Sequence, residues 1–244
     1  MQVIPIETVP LKLARAVDAV VSSDPTTADE VLEEISFKRD LKFAPPLARP
    51  RTSVQTVSGE SVDLPENRTG ASKEASDPRR NPAPAVHAEV FCNDGFKCRY
   101  CGVPIIPFPM LNLISAIWPS QFPHHGHGKV GECHIAYLTI AGSLEHAVAG
   151  TKGGDWLDSD NLISACWSCN LSKSDRSIDE LGWLVLEPVR DDWHGLVDRY
   201  AELLTVAQTR YADESHRRLV DAQKNPPTEA RHEKWIKAFT AAST

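Results

Sequence analysis

Two Cys-x-x-Cys pairs constrain this chain more than any other feature of its sequence. The pairs are Cys98–Cys101 and Cys166–Cys169, and residues 102–165 separate them. Four thiolates fill the four positions of a tetrahedral zinc ion, and each pair can close a tight turn around the metal. A site with four cysteine ligands has no open position for a catalytic water. The sequence therefore predicts one structural zinc ion.

Three side chains near the second pair can bind a hard cation or move a proton. Glu145 and His146 are adjacent, and Asn170 directly follows Cys169. A carboxylate, an imidazole and a carboxamide held by a metal clamp are suited to metal-dependent hydrolysis of a phosphodiester. An isolated histidine is more often structural, so the hypothesis depends on the whole constellation.

Composition limits the class of protein. The chain has 244 residues, 41% of them hydrophobic, which suffices for one substantial core with appendages. No run approaches the roughly 18 to 20 apolar residues of a membrane span, and Met1–Pro5 does not resemble a secretory signal. We therefore expect a cytoplasmic protein with no membrane partner, in which cysteines bind metal rather than form disulfides.

The net charge of −7 argues against a protein that coats DNA without regard to sequence, because such proteins are normally basic. The charge does not argue against a nuclease, since a bound metal ion adds local positive charge that the formal count omits.

The distribution of prolines and polar residues predicts three regions. Residues 1–83 are expected to be a poorly packed, partly disordered N-terminal region, with one short helix after Thr26 and a linker from about 45 to 83. Residues 84–187 form the central domain, which contains an insertion at about 102–143. Residues 188–244 form a helical C-terminal extension.

Local signals predict the elements of the central domain. Residues 87–91 suit a short strand or helix, Met110–Trp118 has helical spacing, and the composition of Ile135–Ile140 indicates a strand. A hairpin is expected with its tip at Gly153-Gly154, followed by a helix that begins near Cys166.

Helical signals continue after the second cysteine pair. Ser177 and Glu180 have the spacing of a capping box. An apolar stripe over residues 193–204 either packs on the core, the favoured interpretation, or forms a homodimer surface. A last helix is expected at about 228–241.

The central domain resembles the HNH endonuclease family. The resemblance rests on acid-His, Lys-Gly-Gly, Asn-Leu and Cys-x-x-Cys-Asn motifs in that order, together with the first cysteine pair. These motifs are Glu145-His146, Lys152-Gly153-Gly154, Asn161-Leu162 and Cys166-Trp167-Ser168-Cys169-Asn170. The resemblance covers about residues 86–185 without the insertion, and it implies the zinc-clamped ββα-metal subtype. Glu145 replaces the more usual Asp, and Asn170 replaces the more usual final His, which gives an HNN variant.

The resemblance implies a role for each motif residue. His146 would be the general base, and Glu145 and Asn170 would bind one catalytic Mg²⁺ or Mn²⁺ ion. Asn161 would hold the loop that orients His146. The implied activity is hydrolysis of DNA, expected to be double-stranded, to 5′-phosphate and 3′-hydroxyl ends.

Several residues have two open interpretations. Lys173 and Arg176 could contact DNA phosphates, or they could equally lie on a solvated helix face. Lys152, at the tip of the hairpin, could approach the minor groove of the duplex. Three histidines could bind a second metal, although a solvated loop is favoured for them. They are His124, His125 and His127. Three tryptophans are expected to pack in the core rather than to stack on DNA bases. They are Trp118, Trp156 and Trp183.

The sequence therefore predicts an α+β fold with a small ββα-metal (HNH) core, a four-cysteine zinc knuckle, a helical insertion and a helical C-terminal extension. The leading function is a metal-dependent DNA endonuclease. The alternative is a non-catalytic zinc-knuckle module for DNA binding or assembly. A toxin or defence effector with the same chemistry has the same sequence signals.

Overall fold

The computed structural model of the protein describes residues 3–4, 8–36, 42–43, 82–125, 132–155 and 158–243. Within these ranges the chain forms α-helices, a three-stranded mixed sheet and a two-stranded parallel pair. This content confirms the predicted α+β class. Most of the predicted linker, residues 45–81, lies outside the described residues.

Two N-terminal helices belong to the hydrophobic core. Helix α1 (Thr8–Val21) and helix α2 (Pro25–Glu34) pack on each other, and Leu13, Val17 and Leu32 are fully buried. The prediction of a poorly packed region is therefore wrong for this stretch. The apolar residues of α1 recur at helical spacing, so one face can be buried along its whole length.

The helix predicted after Thr26 is α2, and it begins slightly earlier. Its N-cap is Asp24, whose side chain accepts a hydrogen bond from Thr27 N at 3.1 Å, and Pro25 occupies the first turn. Strands β1 (Val3–Ile4) and β2 (Lys42–Phe43) flank this helical pair in sequence and pair in parallel.

The first cysteine pair lies in a tight turn that follows α3 (Pro84–Asn93). Residues 87–91, for which a short strand or helix was expected, belong to this helix. Gly95 begins the turn at φ +65°, and a Cβ there would lie 2.2 Å from Val189 O. Only glycine tolerates both this backbone conformation and this close approach. Gly102 N then donates to Cys98 O at 2.8 Å and closes the turn.

The insertion supplies much of the central core. Strand β3 (Ile106–Pro107) leads into α4 (Phe108–Ile117), which confirms the predicted helix, and every α4 residue from Pro109 onward is buried. The predicted strand at Ile135–Ile140 is wrong: α5 (Ala136–Thr139) is a single helical turn. The buried ring of His134 accepts a hydrogen bond from Ala136 N at 3.2 Å, which satisfies the first N–H of this turn.

The predicted hairpin and the helix after it are confirmed. Strand β4 (Ala141–His146) pairs in antiparallel fashion with β5 (Leu162–Cys166), with Gly142 opposite Cys166 and His146 opposite Leu162. On its other edge β4 pairs in parallel with β3. Helix α6 (Trp167–Lys173) follows β5 without a loop and packs on both β4 and β5.

The C-terminal region packs around this centre rather than extending from it. The predicted capping box opens α7 (Ile178–Leu181), with both of its hydrogen bonds present. Helix α8 (Tyr200–Tyr211) packs on α4, and α10 (Glu229–Ala242) packs on α3. Helix α9 (Glu214–Ala222) lies between them in sequence.

The apolar stripe predicted over residues 193–204 packs within the chain. Tyr200 and Leu203 are at most 1% exposed, and the Tyr200 hydroxyl lies 2.9 Å from His232 Nδ1. The favoured interpretation, in which the stripe packs on the core, is therefore confirmed for these buried residues. In the part of the chain that the structure describes, no helix is long and apolar enough to cross a bilayer.

Candidate functional site

The four cysteines of the two pairs form one cluster. The sulfurs of Cys98, Cys101, Cys166 and Cys169 all lie within 4.8 Å of one another, and all but Cys101 are buried. The sulfurs of Cys101 and Cys166 are 3.9 Å apart. Four sulfurs bound at about 2.3 Å to a tetrahedral zinc ion would be separated by about 3.8 Å. The donor set and its spacing therefore fit a zinc ion.

The electrostatics of the cluster also favour a cation. Hydrogen bonds from the Cys166 and Cys169 thiols to the Cys101 sulfur raise the pKa of both thiols far above their ordinary value, and burial adds to this effect. Burial opposes ionisation of Cys98 as well, but hydrogen bonds from the other three thiols hold its pKa well below the ordinary value. The protein alone thus favours the thiolate of Cys98, whereas a bound cation would favour the ionised forms of Cys166 and Cys169.

A buried ion pair connects the first knuckle to the sheet. The Asp94 carboxylate, 4% exposed, accepts hydrogen bonds from Arg99 Nη1 at 2.5 Å and from Ser164 N at 2.7 Å. Arg99 N in turn donates to Ser164 O at 2.8 Å. Since Arg99 lies between the first two cysteines, this network fixes their turn against β5. Sequence analysis did not identify Asp94 or Arg99.

A second polar centre lies where the end of β4 meets α6. Lys173 is fully buried, and its Nζ donates to Glu145 Oε1 at 2.7 Å and to His146 O at 2.9 Å. Glu145 is 6% exposed. Burial raises the pKa of the Glu145 carboxyl, and the hydrogen bond and charge of Lys173 offset only part of that effect.

Asn170 reaches the same strand from one turn earlier on α6. Its Nδ2 donates to Leu144 O at 3.0 Å and to Ser143 Oγ at 3.1 Å. These bonds use the nitrogen of the carboxamide and leave the oxygen as the atom suited to a cation. The structure thus brings Glu145 and Asn170, both predicted metal ligands, to one interface between β4 and α6.

His146 is the last residue of β4 and is half-buried. Successive side chains of a strand point to opposite faces, so the alternation directs the His146 ring away from the Glu145 carboxylate. The two side chains therefore flank the end of the strand instead of forming one cluster. Their backbone positions are fixed by pairing with β5 and by the bond from Lys173.

Asn161 holds the loop between β4 and β5. Its side chain accepts a hydrogen bond from Val148 N at 2.8 Å and donates to Val148 O at 3.0 Å and Asp155 O at 2.9 Å. Its backbone oxygen accepts a bond from Ala147 N at 2.9 Å. Gly154 packs against this arrangement, because a Cβ there would lie 2.8 Å from Asn161 Nδ2 and 2.0 Å from Val148 O.

The three residues predicted to contact DNA occupy different environments. Lys173 is buried in the ion pair with Glu145, so the prediction that it contacts a phosphate at the surface, like the alternative of a solvated face, is wrong. Its position four residues after the buried Cys169 is the signal that could have revealed this. Lys152 is exposed and pairs with Glu180 at 2.6 Å, and exposed Arg176 donates to Ser172 O.

The insertion histidines have structural environments where they are described. His124 is 4% exposed and stacks on Tyr137 at a ring distance of 4.8 Å, so the predicted solvated loop is wrong at this residue. Burial lowers its pKa to about 4. His125 Nε2 lies 3.5 Å from the Glu132 carboxylate. Among the described residues, the cysteine cluster is the one group of three or more metal-binding side chains.

Other sequence predictions in this region have clear outcomes. Trp118 is 1% exposed, as expected for a core residue, and Trp183 packs on Tyr100 at a ring distance of 5.3 Å. Residues 127 and 156 lie outside the described residues, so the predictions for His127 and Trp156 stay open.

Comparison of the chain with protein-family models, with curated proteins and with solved structures finds no match. Two centres of the molecule offer side chains with functional chemistry. One offers four thiols in a buried cluster. The other offers a carboxylate and a carboxamide beside a histidine, with a lysine already in contact with the carboxylate.

Proposed function

We propose that this protein is a metal-dependent DNA endonuclease of the HNH type, with β4, β5 and α6 as a ββα-metal core. The observation that carries the proposal is the placement of Glu145 and Asn170 at one interface between β4 and α6, with His146 next in the chain at the end of the same strand. The cysteine cluster, with zinc bound, would fix the start of the same helix. The order of the motifs along the chain supports the same assignment.

Each residue of the proposed site has a chemical task. Glu145, through the carboxylate oxygen that Lys173 does not contact, and Asn170, through its carboxamide oxygen, would hold one Mg²⁺ or Mn²⁺ ion. When bound, this ion supplies Lewis-acid stabilisation of charge on the phosphate and on the leaving 3′ oxygen. Asn161 supports the loop that continues from His146.

His146 is the proposed general base. Its imidazole would take a proton from the water that attacks phosphorus, a task for which a neutral histidine is suited. The new bond joins the water oxygen to phosphorus, and the bond from phosphorus to the 3′ oxygen breaks. The products are a 5′-phosphate and, after proton uptake, a 3′-hydroxyl. Exposed Lys152 and Arg176 are the proposed contacts to the DNA backbone.

The ion pair between Glu145 and Lys173 favours a second candidate function. A carboxylate already paired with a buried ammonium is also what a non-catalytic zinc-knuckle module would contain. Such a module would bind DNA, or assemble with a partner, without cutting it. Binding of DNA without cleavage would support this second candidate.

Metal-dependent cleavage of supercoiled plasmid tests the proposed function. We expect nicking with Mg²⁺ or Mn²⁺, none after brief treatment with EDTA, and nicks that DNA ligase reseals because the ends are 5′-phosphate and 3′-hydroxyl. Glu145→Ala should lose activity, whereas Glu145→Asp should keep most of it by retaining the carboxylate. Asn170→Ala should be partly restored by higher Mg²⁺ or by Mn²⁺. Cleavage that survives EDTA, or nicks that ligase cannot reseal, would contradict the proposal.

A further inference from the structure

Lys173 already places a positive charge inside the proposed metal site. Its side chain is fully buried, and its ammonium bridges Glu145 Oε1 at 2.7 Å and His146 O at 2.9 Å. Position 173 is one helical turn after Cys169, so the cysteine cluster and the ion pair fix the same face of α6. The ammonium is therefore a built-in part of the site.

The charge of Lys173 opposes a second cation on the same carboxylate. Two like charges a few ångströms apart repel strongly in a buried setting, where the effective dielectric constant is far below that of water. The same ammonium also fixes one oxygen of Glu145 and so presents the other. Lys173 thus has two opposed effects: it orients the metal ligand and it weakens the attraction of that ligand for a metal.

We propose that Lys173 is a positioning residue that acts as an internal counter-cation, lowering the affinity of the free protein for a divalent ion. The inference rests on the proposed function, because it concerns the ion that Glu145 and Asn170 would hold. A DNA phosphate, being negative, would compensate the ammonium charge. The site therefore takes up its ion most readily together with the substrate.

A purely structural role for Lys173 makes a different prediction. If the ion pair only fastens α6 to β4, removal of the ammonium would lower stability without improving metal binding. Breaking a buried pair by removing one partner typically costs several kcal/mol, so a loss of stability alone does not distinguish the two roles. The affinity for metal in the absence of DNA does distinguish them.

Binding of Mn²⁺ to the zinc-loaded full chain, measured by electron paramagnetic resonance without DNA, tests the inference. Lys173→Met should bind Mn²⁺ about tenfold more tightly than the unmodified protein. This matches the lower end of the effect of a neighbouring charge on the proton affinity of a carboxylate, which is about tenfold or more. Lys237→Met is the matched control. It removes one positive charge from an exposed pair with Glu233 on α10 and should leave the affinity unchanged.

A second pair of variants keeps the test valid if Lys173→Met does not fold. Glu145→Gln alone should weaken Mn²⁺ binding. Glu145→Gln combined with Lys173→Met removes both charges and leaves no unpaired buried ion, and it should bind more tightly than Glu145→Gln. Equal affinities within both comparisons, or no Mn²⁺ bound by any variant, would overturn the inference.

Plasmid cleavage measured in parallel separates this inference from the proposed function. Tighter Mn²⁺ binding by Lys173→Met with no cleavage by the unmodified protein would support the counter-cation and reject the nuclease. Cleavage by the unmodified protein with no effect of Lys173 on Mn²⁺ binding would support the nuclease and overturn the counter-cation.

Discussion

The two centres of this protein share helix α6 but obtain their positive charge in opposite ways. At the start of the helix, Cys166 and Cys169 meet the first cysteine pair in a cluster of four thiols, and no contact with a cationic side chain is seen there among the described residues. At the end of the helix, Lys173 supplies an ammonium to the Glu145 carboxylate. The first centre is a set of four thiols whose spacing fits a metal ion, whereas the second already contains a cationic side chain.

This difference suggests a division of labour along α6. A buried four-thiol cluster gains folding free energy when it binds a metal, so it is suited to a structural role. A carboxylate that already has an internal counter-cation can bind and release a second cation without unfolding. We therefore expect stability to depend on the cysteine cluster and activity to depend on the end of β4.

Loss of a cysteine ligand should have the largest effect. Cys169→Ser removes one of four donors, and structural zinc contributes about 10 to 16 kcal/mol in small zinc-binding peptides at neutral pH. We expect the variant to lose its zinc and its cooperative thermal unfolding. Metal analysis and calorimetry check this, with Cys92→Ser as the matched control because Cys92 is half-buried and outside the cluster. Well-folded protein without zinc would contradict the structural role.

Local sequence signals predicted the secondary structure around the candidate site correctly. The Gly153-Gly154 turn, the cysteine spacing and the capping box at Ser177 each depend on residues close in sequence, so the hairpin, α6 and α7 could be predicted. The placement of Glu145 and Asn170 at one interface follows once α6 packs against β4.

The remaining features depend on contacts between distant residues. Lys173 can be buried because its ammonium pairs with Glu145 across the interface. Helix propensity depends on neighbouring residues and therefore does not predict a partner on another element. The composition of residues 135–140 favours a strand, but the segment forms the α5 turn. The buried ring of His134 accepts a hydrogen bond from the first N–H of this turn. Helix α1 shows a helical period, but its burial depends on packing against α2 and α8.

A smaller effect is expected from the loop that Asn161 holds, and it should separate the two centres. In Gly154→Ala, the new Cβ would collide with Val148 O and Asn161 Nδ2, so the loop after His146 must move. We expect plasmid cleavage to fall by about tenfold or more, in line with the sensitivity of catalysis to small displacements, while zinc content stays unchanged.

Gly153→Ala is the matched control for this loop. A Cβ at Gly153 meets no atom within 4 Å, although its φ of +89° is unfavourable for alanine. We expect a cost of about 1 to 2 kcal/mol in stability and much less loss of cleavage than in Gly154→Ala. Equal loss of cleavage in the two variants would show that the contact with Asn161 does not matter for the site.

Replacement of His146 tests the central claim most directly. His146→Ala removes the proposed base and none of the cysteine ligands, so zinc content and the melting temperature should stay close to those of the unmodified protein. Cleavage of supercoiled plasmid with Mg²⁺ or Mn²⁺ should fall by about 10² or more, the low end of what a general base contributes. His194→Ala, at an exposed histidine far along the chain, should cut at the unmodified rate. If His146→Ala cuts as fast as His194→Ala, the nuclease assignment is wrong and the non-catalytic module takes its place.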